Sequence, residues 1–149
     1  MIETDLIGTI YGSYYAMRQF HQQQSGILIN VASVIGKIPA PYFASYAAAK
    51  RGIVGLCGAL RQELEINKIA GIRVCTVMPT SMDTPFFEHA ADYTGHKVVP
   101  IPPVFEPQQV VDALVSLASD PKDEVAVGGA SGTGFVLMHQ LFPGLSTLA

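Results

Sequence analysis

Apolar and polar positions along the chain alternate between two rhythms. From Leu6 to Phe20 (LIGTIYGSYYAMRQF) apolar and aromatic residues recur around most of a helical circumference, which predicts a helix packed on more than one side, polar only at its exit through His21 to Ser25. Gly26 then opens GILINVAS, a continuous apolar run with β-branched residues, the pattern of a strand covered on both faces and ending near Ala32 or Ser33. After the loop VIGKIPAPYFA, helical spacing returns from about Ser45 to Ile66 and makes the longest helix. Gly71 precedes a second buried strand, IRVCTVMP, stopped by Pro79. An irregular stretch from Thr80 to about Phe105 holds Pro85, Pro100, Pro102 and Pro103. Pro107 suits the first turn of a further helix whose inner stripe is Val110, Val111, Leu114, Leu117 and Ala118, until Asp120-Pro121 stops it. A third short strand follows near Glu124 to Val127, then a glycine-rich exit and an apolar tail over 130–149.

Helices alternating with buried strands make the class α/β, with a parallel sheet covered by helices. Three strands form a narrow sheet with open edges, and the opening helix would lie against a sheet that has not begun. The chain therefore looks like the second half of a larger sheet unit, with residues 1–149 as a single partial domain. Composition agrees with that. Charged residues are only 14% of the 149, below the roughly 25% usual in soluble domains, and mean hydropathy is +0.32. Half a domain is enriched in surfaces that the other half would bury.

A membrane span does not account for the low charge. The uncharged stretches are cut by His21 to Ser25, by Pro39 and Pro41, and by Gly128 to Gly134, so no run of about 18 apolar residues is available to cross a bilayer. The opening Met-Ile-Glu-Thr-Asp carries acids where a secretory signal carries Lys or Arg, and nothing marks the chain for export. Cys57 and Cys75 sit in apolar surroundings without a CxxC pair, which fits reduced thiols in a cytoplasmic protein. Net charge is −3, with nine scattered Lys and Arg and no basic run, which argues against a nucleic-acid partner. His21, His89, His96 and His139 lack metal-ligand spacing, and no metal is expected.

Chemistry concentrates at three positions. Tyr46 and Lys50 are four apart on the long helix and share one face. An ammonium beside a phenol favours the phenolate, which would lower the tyrosine pKa and make it a general acid or base. A YxxxK pair alone is common on helix surfaces. Ser33 adds weight because it closes a buried strand, at the sheet edge where open α/β folds place ligands.

These residues together resemble the short-chain dehydrogenase/reductase family. The resemblance rests on Asn30-Val31-Ala32-Ser33 closing a strand, Tyr46-Ala-Ala-Ala-Lys50 opening a helix 13 positions after the serine, and Pro79 to Thr84 after the second strand. It spans about Glu3 to Gly129 and implies a partial Rossmann-like parallel sheet, the second half of a doubly wound dinucleotide-binding fold. It implies hydride transfer between NAD or NADP and a small-molecule carbonyl or alcohol. Tyr46 would donate and accept the proton, Lys50 would lower its pKa and contact the nicotinamide ribose, and Ser33 would hold the substrate oxygen, while Asn30 would support the backbone. Pro79, Thr80 and Thr84 would stand at the cofactor, with Thr80 in place of the family's usual glycine. Asp5, in ETDLIGT, occupies the position that often holds the family's active-site asparagine. The family's opening strand and TGxxxGxG turn, which seat the pyrophosphate at a helix N-terminus, have no counterpart in the sequence. Gly128 to Gly134 is no substitute, since neither a long helix nor an acidic ribose partner follows it.

Ala48, Gly52, Gly55 and Ala59 form a small-residue stripe at helical spacing, suited to packing on the chain's own sheet or to a subunit interface. The resemblance favours a homo-oligomer formed through helices 6–21 and 45–65. Phe86, Phe87, Tyr93, Val98, Val99 and Ile101 make the loop after Thr84 apolar, as in the family's substrate loop. Two further readings stand beside the oxidoreductase. One is a truncated, non-catalytic remnant or dimerisation module of the same family. The other is an epimerase or dehydratase of the wider superfamily, which fits the Asn-x-x-Ser strand end and its short spacing to Tyr46 less well.

Overall fold

The computed structural model describes residues 1–38, 40–89, 95, 99–129 and 134. The apolar tail over 130–149, and with it His139, lies outside the described residues but for Gly134, as do Tyr93, His96 and Val98 of the loop.

Three parallel strands form one sheet in the order β1-β2-β3. β1 (Gly26–Val31) pairs with β2 (Ile72–Pro79) from Gly26↔Ile72 to Val31↔Val77. β3 (Glu124–Val127) pairs with the far half of β2, from Thr76↔Glu124 to Pro79↔Val127. The apolar run of β2 is continuous because alternate side chains meet different helices. Ile72, Val74 and Met78 join a core with Met17 of α1 (Gly8–Gln23) and Ile53, Cys57 and Leu64 of α2 (Ala44–Ile66). Cys75 and Val77 join Val127 and Leu117, the last residue of a helix over Gln108–Leu117, on the opposite face. The two layers are the α/β sandwich that the sequence alternation predicts, and β1 and β3 each leave one edge unpaired among the described residues.

One polar residue lies in the middle of this apolar strand. Thr76 is fully buried, and its Oγ1 accepts a hydrogen bond from Arg61 of α2 at 3.0 Å. Arg61 also reaches the Val74 and Asp123 carbonyls and pairs with Glu124 at 3.2 Å, so one guanidinium ties α2 to both β2 and β3. A buried hydroxyl is tolerable only with such a partner.

The opening helix departs from expectation in two ways. Residues Ile2–Ile7, including Leu6, form a π-helical turn, and the regular helix begins at Gly8 and runs to Gln23. Its circumference is not buried all round: only Ser13 and Met17 are buried, and Tyr11, Tyr14 and Tyr15 are 60% exposed or more. The apolar outer face has no partner among the described residues. Inside the long irregular stretch, a short helix α3 (Phe86–His89) forms ahead of the Gln108–Leu117 helix, which is α4. The base of the stretch is clamped to the β2 exit by Asp83 N–H to Phe105 O and Phe105 N–H to Ser81 O, each 2.9 Å.

Candidate active site

The site lies at the C-terminal ends of β1 and β2, where the chain leaves the sheet. Ser33 follows β1 in extended conformation and caps the 3-10 turn Val34–Gly36, its Oγ accepting from the Ile35 N–H at 3.2 Å. The same hydroxyl donates to the Pro79 carbonyl at 3.4 Å, which ties the exits of β1 and β2 together. Ser33 is 6% exposed. Small residues let the turn pack against α2: a methyl group on Gly36 would stand 2.8 Å from the Lys50 carbonyl oxygen. That contact holds the serine turn against the helix turn that carries Lys50.

Tyr46 and Lys50 project from the first turns of α2. The Lys50 ammonium lies 5.5 Å from the Tyr46 ring centroid, over its face, and donates to the Val31 carbonyl at 3.3 Å. Burial pushes the Tyr46 phenol above its ordinary range, partly offset by hydrogen bonding to Ser33, with the Asp5 carboxylate pushing the same way as burial. Burial pulls the Lys50 ammonium below its ordinary range, and Asp5 opposes that. The sequence expectation that Lys50 lowers the tyrosine pKa is therefore not met. The ammonium sits over the ring and bonds to the backbone, and burial is the largest influence on the phenol.

Asp5 reaches this neighbourhood from the π-helical turn. Leu6, the next residue, packs its methyls where Gly52 of α2 has no side chain; a Cβ there would stand 2.8 Å from them. The turn docks on α2 through that contact and carries the Asp5 charge into range of both Tyr46 and Lys50.

The structure thus gathers Ser33, Tyr46, Lys50 and Asp5, with the Pro79 carbonyl at their edge. It turns Thr80 elsewhere: its N–H and its Oγ1 both donate to the Val127 carbonyl, at 2.8 and 3.2 Å, so the side chain locks β2 to β3. Thr84 is exposed at the start of the apolar loop. Asn30 donates to Ser13 Oγ at 3.0 Å and to Cys57 Sγ at 3.4 Å, a half-buried structural role on the α1 and α2 side. Two neighbours were missed. Phe43 stands three residues before Tyr46, hence on the same helix face, with ring centroids 6.3 Å apart. The Val31 carbonyl as the lysine's acceptor leaves no trace in a sequence.

The donor set fits one end of a dinucleotide. A phenol and an ammonium at the carboxyl edge of a parallel sheet suit ribose hydroxyls and a nicotinamide. No described helix N-terminus suits a pyrophosphate through a glycine-rich turn; the turn leading into α1 carries Glu3 and Asp5 instead. Among the described residues no group of three or more His, Cys, Asp or Glu side chains could hold a metal ion, and no helix is long and apolar enough to cross a membrane.

The model of the short chain dehydrogenase family matches residues 1–94, a span that contains Asp5, Ser33, Tyr46, Lys50 and Pro79 to Thr84. The chain belongs to this family. Among curated relatives of this short chain dehydrogenase chain, the 3beta-hydroxysteroid dehydrogenase 1 of Eggerthella lenta is 34% identical over 126 residues, 80% of this chain and 47% of that one. The FabG 3-oxoacyl-acyl-carrier-protein reductase of Chlamydia trachomatis is 35% identical over 124 residues, 80% of this chain and 48% of its own. A short chain dehydrogenase from Burkholderia cenocepacia, solved in complex with NADP, superposes with a TM-score of 0.66 at 24% identity, covering 93% of this chain and 54% of that one. The chain spans about half the length of the curated relatives it matches.

Proposed function

We propose that this chain carries the catalytic half of an NAD- or NADP-dependent oxidoreductase that interconverts a carbonyl and an alcohol. The observation that supports it is the convergence of Ser33, Tyr46 and Lys50, from two separate elements, on one strand-exit edge. In this reading Tyr46 holds the proton given to, or taken from, the substrate oxygen. Ser33 Oγ turns from the Pro79 carbonyl to donate to that oxygen. Lys50, released from the Val31 carbonyl, meets the ribose beside Tyr46, and Asp5 keeps the pair protonated. Pro79, Thr80 and Thr84 line the cofactor side, Thr80 by fixing the β2 exit rather than by contact. When bound, NADH or NADPH supplies the hydride to the carbonyl carbon; with the Tyr46 proton on oxygen this gives the alcohol and NAD or NADP, and the reverse direction oxidises the alcohol. A high pKa suits the phenol as proton donor in the reductive direction.

The names of the relatives include both a steroid and an acyl-chain substrate, so they leave the substrate open. The 149 residues are read as one unit of a longer fold. The face of α1 and α2 that has no partner among the described residues, with a groove of about 410 Å³ walled by Ile10, Met17, Leu56 and Leu60 and rimmed by Arg18 and Glu63, is the surface on which a second copy would sit. Buried, unpaired Cys57 and Cys75 agree with a reducing, cytoplasmic setting.

Tyr46→Phe in the protein that carries this chain tests the reading. Turnover should fall by roughly 10²–10⁴-fold, while the melt is kept. Full retained turnover would refute the role of Tyr46. The second reading, a non-catalytic module, is supported by the apolar outer face of α1, which has no partner among the described residues. It predicts that the chain binds neither NADH nor NADPH, and that Tyr46→Phe changes nothing.

A further inference from the structure

Around the Tyr46 phenol the structure builds an aromatic wall that the catalytic reading does not use. Phe43, at the mouth of α2, meets the Tyr46 ring edge-on, with centroids 6.3 Å apart and planes at 67°. Phe86, the first residue of α3, lies 5.9 Å from the same ring at 46°. Phe87 then packs perpendicular to Phe86 at 5.2 Å and backs it. The three come from two places: Phe43 is fixed by α2, whereas Phe86 and Phe87 are brought in by the loop clamped at Met82↔Phe105. Phe86 keeps 43% of its surface exposed beside a phenol that is itself substantially buried. An exposed aromatic ring packed against Tyr46 is apolar surface within reach of a molecule that meets the phenol.

We propose that Phe43 and Phe86 are specificity-determining residues that select a carbonyl or secondary alcohol borne on an apolar ring, alicyclic in the simplest case, over one carried on a short flexible acyl chain. This rests on the oxidoreductase reading of Tyr46. Rigid rings carry their apolar area into contact without loss of rotamer freedom, and their C–H edges meet aromatic faces well, while a flexible chain must be ordered to do the same. Ordering a flexible chain costs up to about tenfold in affinity per immobilised group, a cost that the ring does not bear. The wall covers one side of the ring, so a preference of about tenfold is expected. In the reductive direction cyclohexanone gains a hydride at its carbonyl carbon from NADH or NADPH and a proton at oxygen from Tyr46. The products are cyclohexanol and the oxidised nucleotide.

The test uses the 149-residue chain and the same protein with Phe43→Ala, Phe86→Ala, Phe86→Leu or Tyr46→Phe. Cyclohexanone and ethyl acetoacetate are titrated while the aromatic ring signals are followed by NMR, and turnover of both is measured with NADH and NADPH in the longest protein that carries the chain. The expected result is cyclohexanone binding about tenfold tighter, shifting the Tyr46 and Phe86 signals. Phe43→Ala and Phe86→Ala should each remove most of the preference, and Phe86→Leu should keep part of it. Equal binding of the two ligands, a preference that survives both alanine variants, or no binding of either overturns the proposal. Failure of the oxidoreductase reading shows separately. Binding at the wall would then be normal, with no turnover of either compound or with turnover indifferent to Tyr46→Phe.

Discussion

Replacing Gly36 with alanine tests how the serine turn is held to the helix that carries Tyr46 and Lys50. The added methyl would meet the Lys50 carbonyl oxygen at 2.8 Å, the Lys50 carbonyl carbon at 3.0 Å and the Val54 Cγ2 at 3.1 Å. Two of these are backbone atoms in the middle of an α-helix and cannot swing aside. Reaching ordinary contact near 3.4 Å requires the turn and the helix to part by about 0.6 Å. Overpacking of this kind costs about 1–3 kcal/mol, which for a chain of this length lowers the melting temperature by about 3–10 °C. The displaced turn begins at Ser33, so the serine hydroxyl moves away from Tyr46 and Lys50. Since a misplacement of about 1 Å can cost 10²-fold in rate, turnover should fall about tenfold beyond any loss of folded protein. Thermal melts of Gly36→Ala beside Gly12→Ala decide the matter. Nothing stands within 4 Å of a Cβ at Gly12, which lies inside α1, so that substitution should stabilise by about 0.5–1 kcal/mol. If Gly36→Ala melts with the wild type or above it, the close contact between the serine turn and Lys50 does not exist.

Gly128→Ala should be among the most damaging single changes. Its φ is +118° and its side chain would run into Thr80 Oγ1, so a loss of about 2–4 kcal/mol is expected in chemical denaturation, partly recovered in the double variant with Thr80→Gly. Additive effects would mean that Thr80 and Gly128 are not paired. Asp5→Asn should move the Tyr46 and Lys50 pKa values down, because the carboxylate raises both. Tyr46 binds its proton more tightly folded than unfolded, so it contributes stability below its ordinary pKa of 10.0 that is lost as pH rises through the folded value. With Asp5 neutralised that alkaline loss should shrink, and the tyrosinate titration, taken as a difference against Tyr46→Phe, should shift to lower pH. An unmoved titration would place Asp5 out of range.

The layers of this fold were legible because each rests on a local pattern. β2 is apolar at every position but Arg73 and Thr76, and a strand of that kind must be covered on both faces; Leu117 of α4 and Met17 of α1 supply the two covers. The Ser33, Tyr46 and Lys50 grouping was legible for a related reason, since a strand end and a helix face fix where three side chains point. What stayed hidden depends on contacts distant in sequence. The π-helical turn over Ile2–Ile7 is set by Leu6 seating on Gly52, and nothing in IETDLI announces it. Thr80 has the sequence position of a cofactor contact, yet its hydroxyl is spent on Val127, a partner 47 residues away.

The direction of the Tyr46 shift carries the same lesson into the chemistry. A four-residue spacing guarantees that a lysine and a tyrosine share a face, but it does not say whether the ammonium meets the hydroxyl or the ring. Here it meets the ring, and it donates a hydrogen bond to the Val31 carbonyl. The phenol is left to burial, Ser33 and Asp5, of which burial and Asp5 hold its proton on. In that state the phenol keeps its proton, and it would lose it more readily if something drew Lys50 off the Val31 carbonyl and toward the hydroxyl. A ribose hydroxyl bound beside Tyr46 is a group of the right kind, since it accepts from the ammonium and offers it a position nearer the phenolic oxygen. If Lys50 moves in this way, the Tyr46 titration should move down when NAD or NADP is added and stay where it is with AMP.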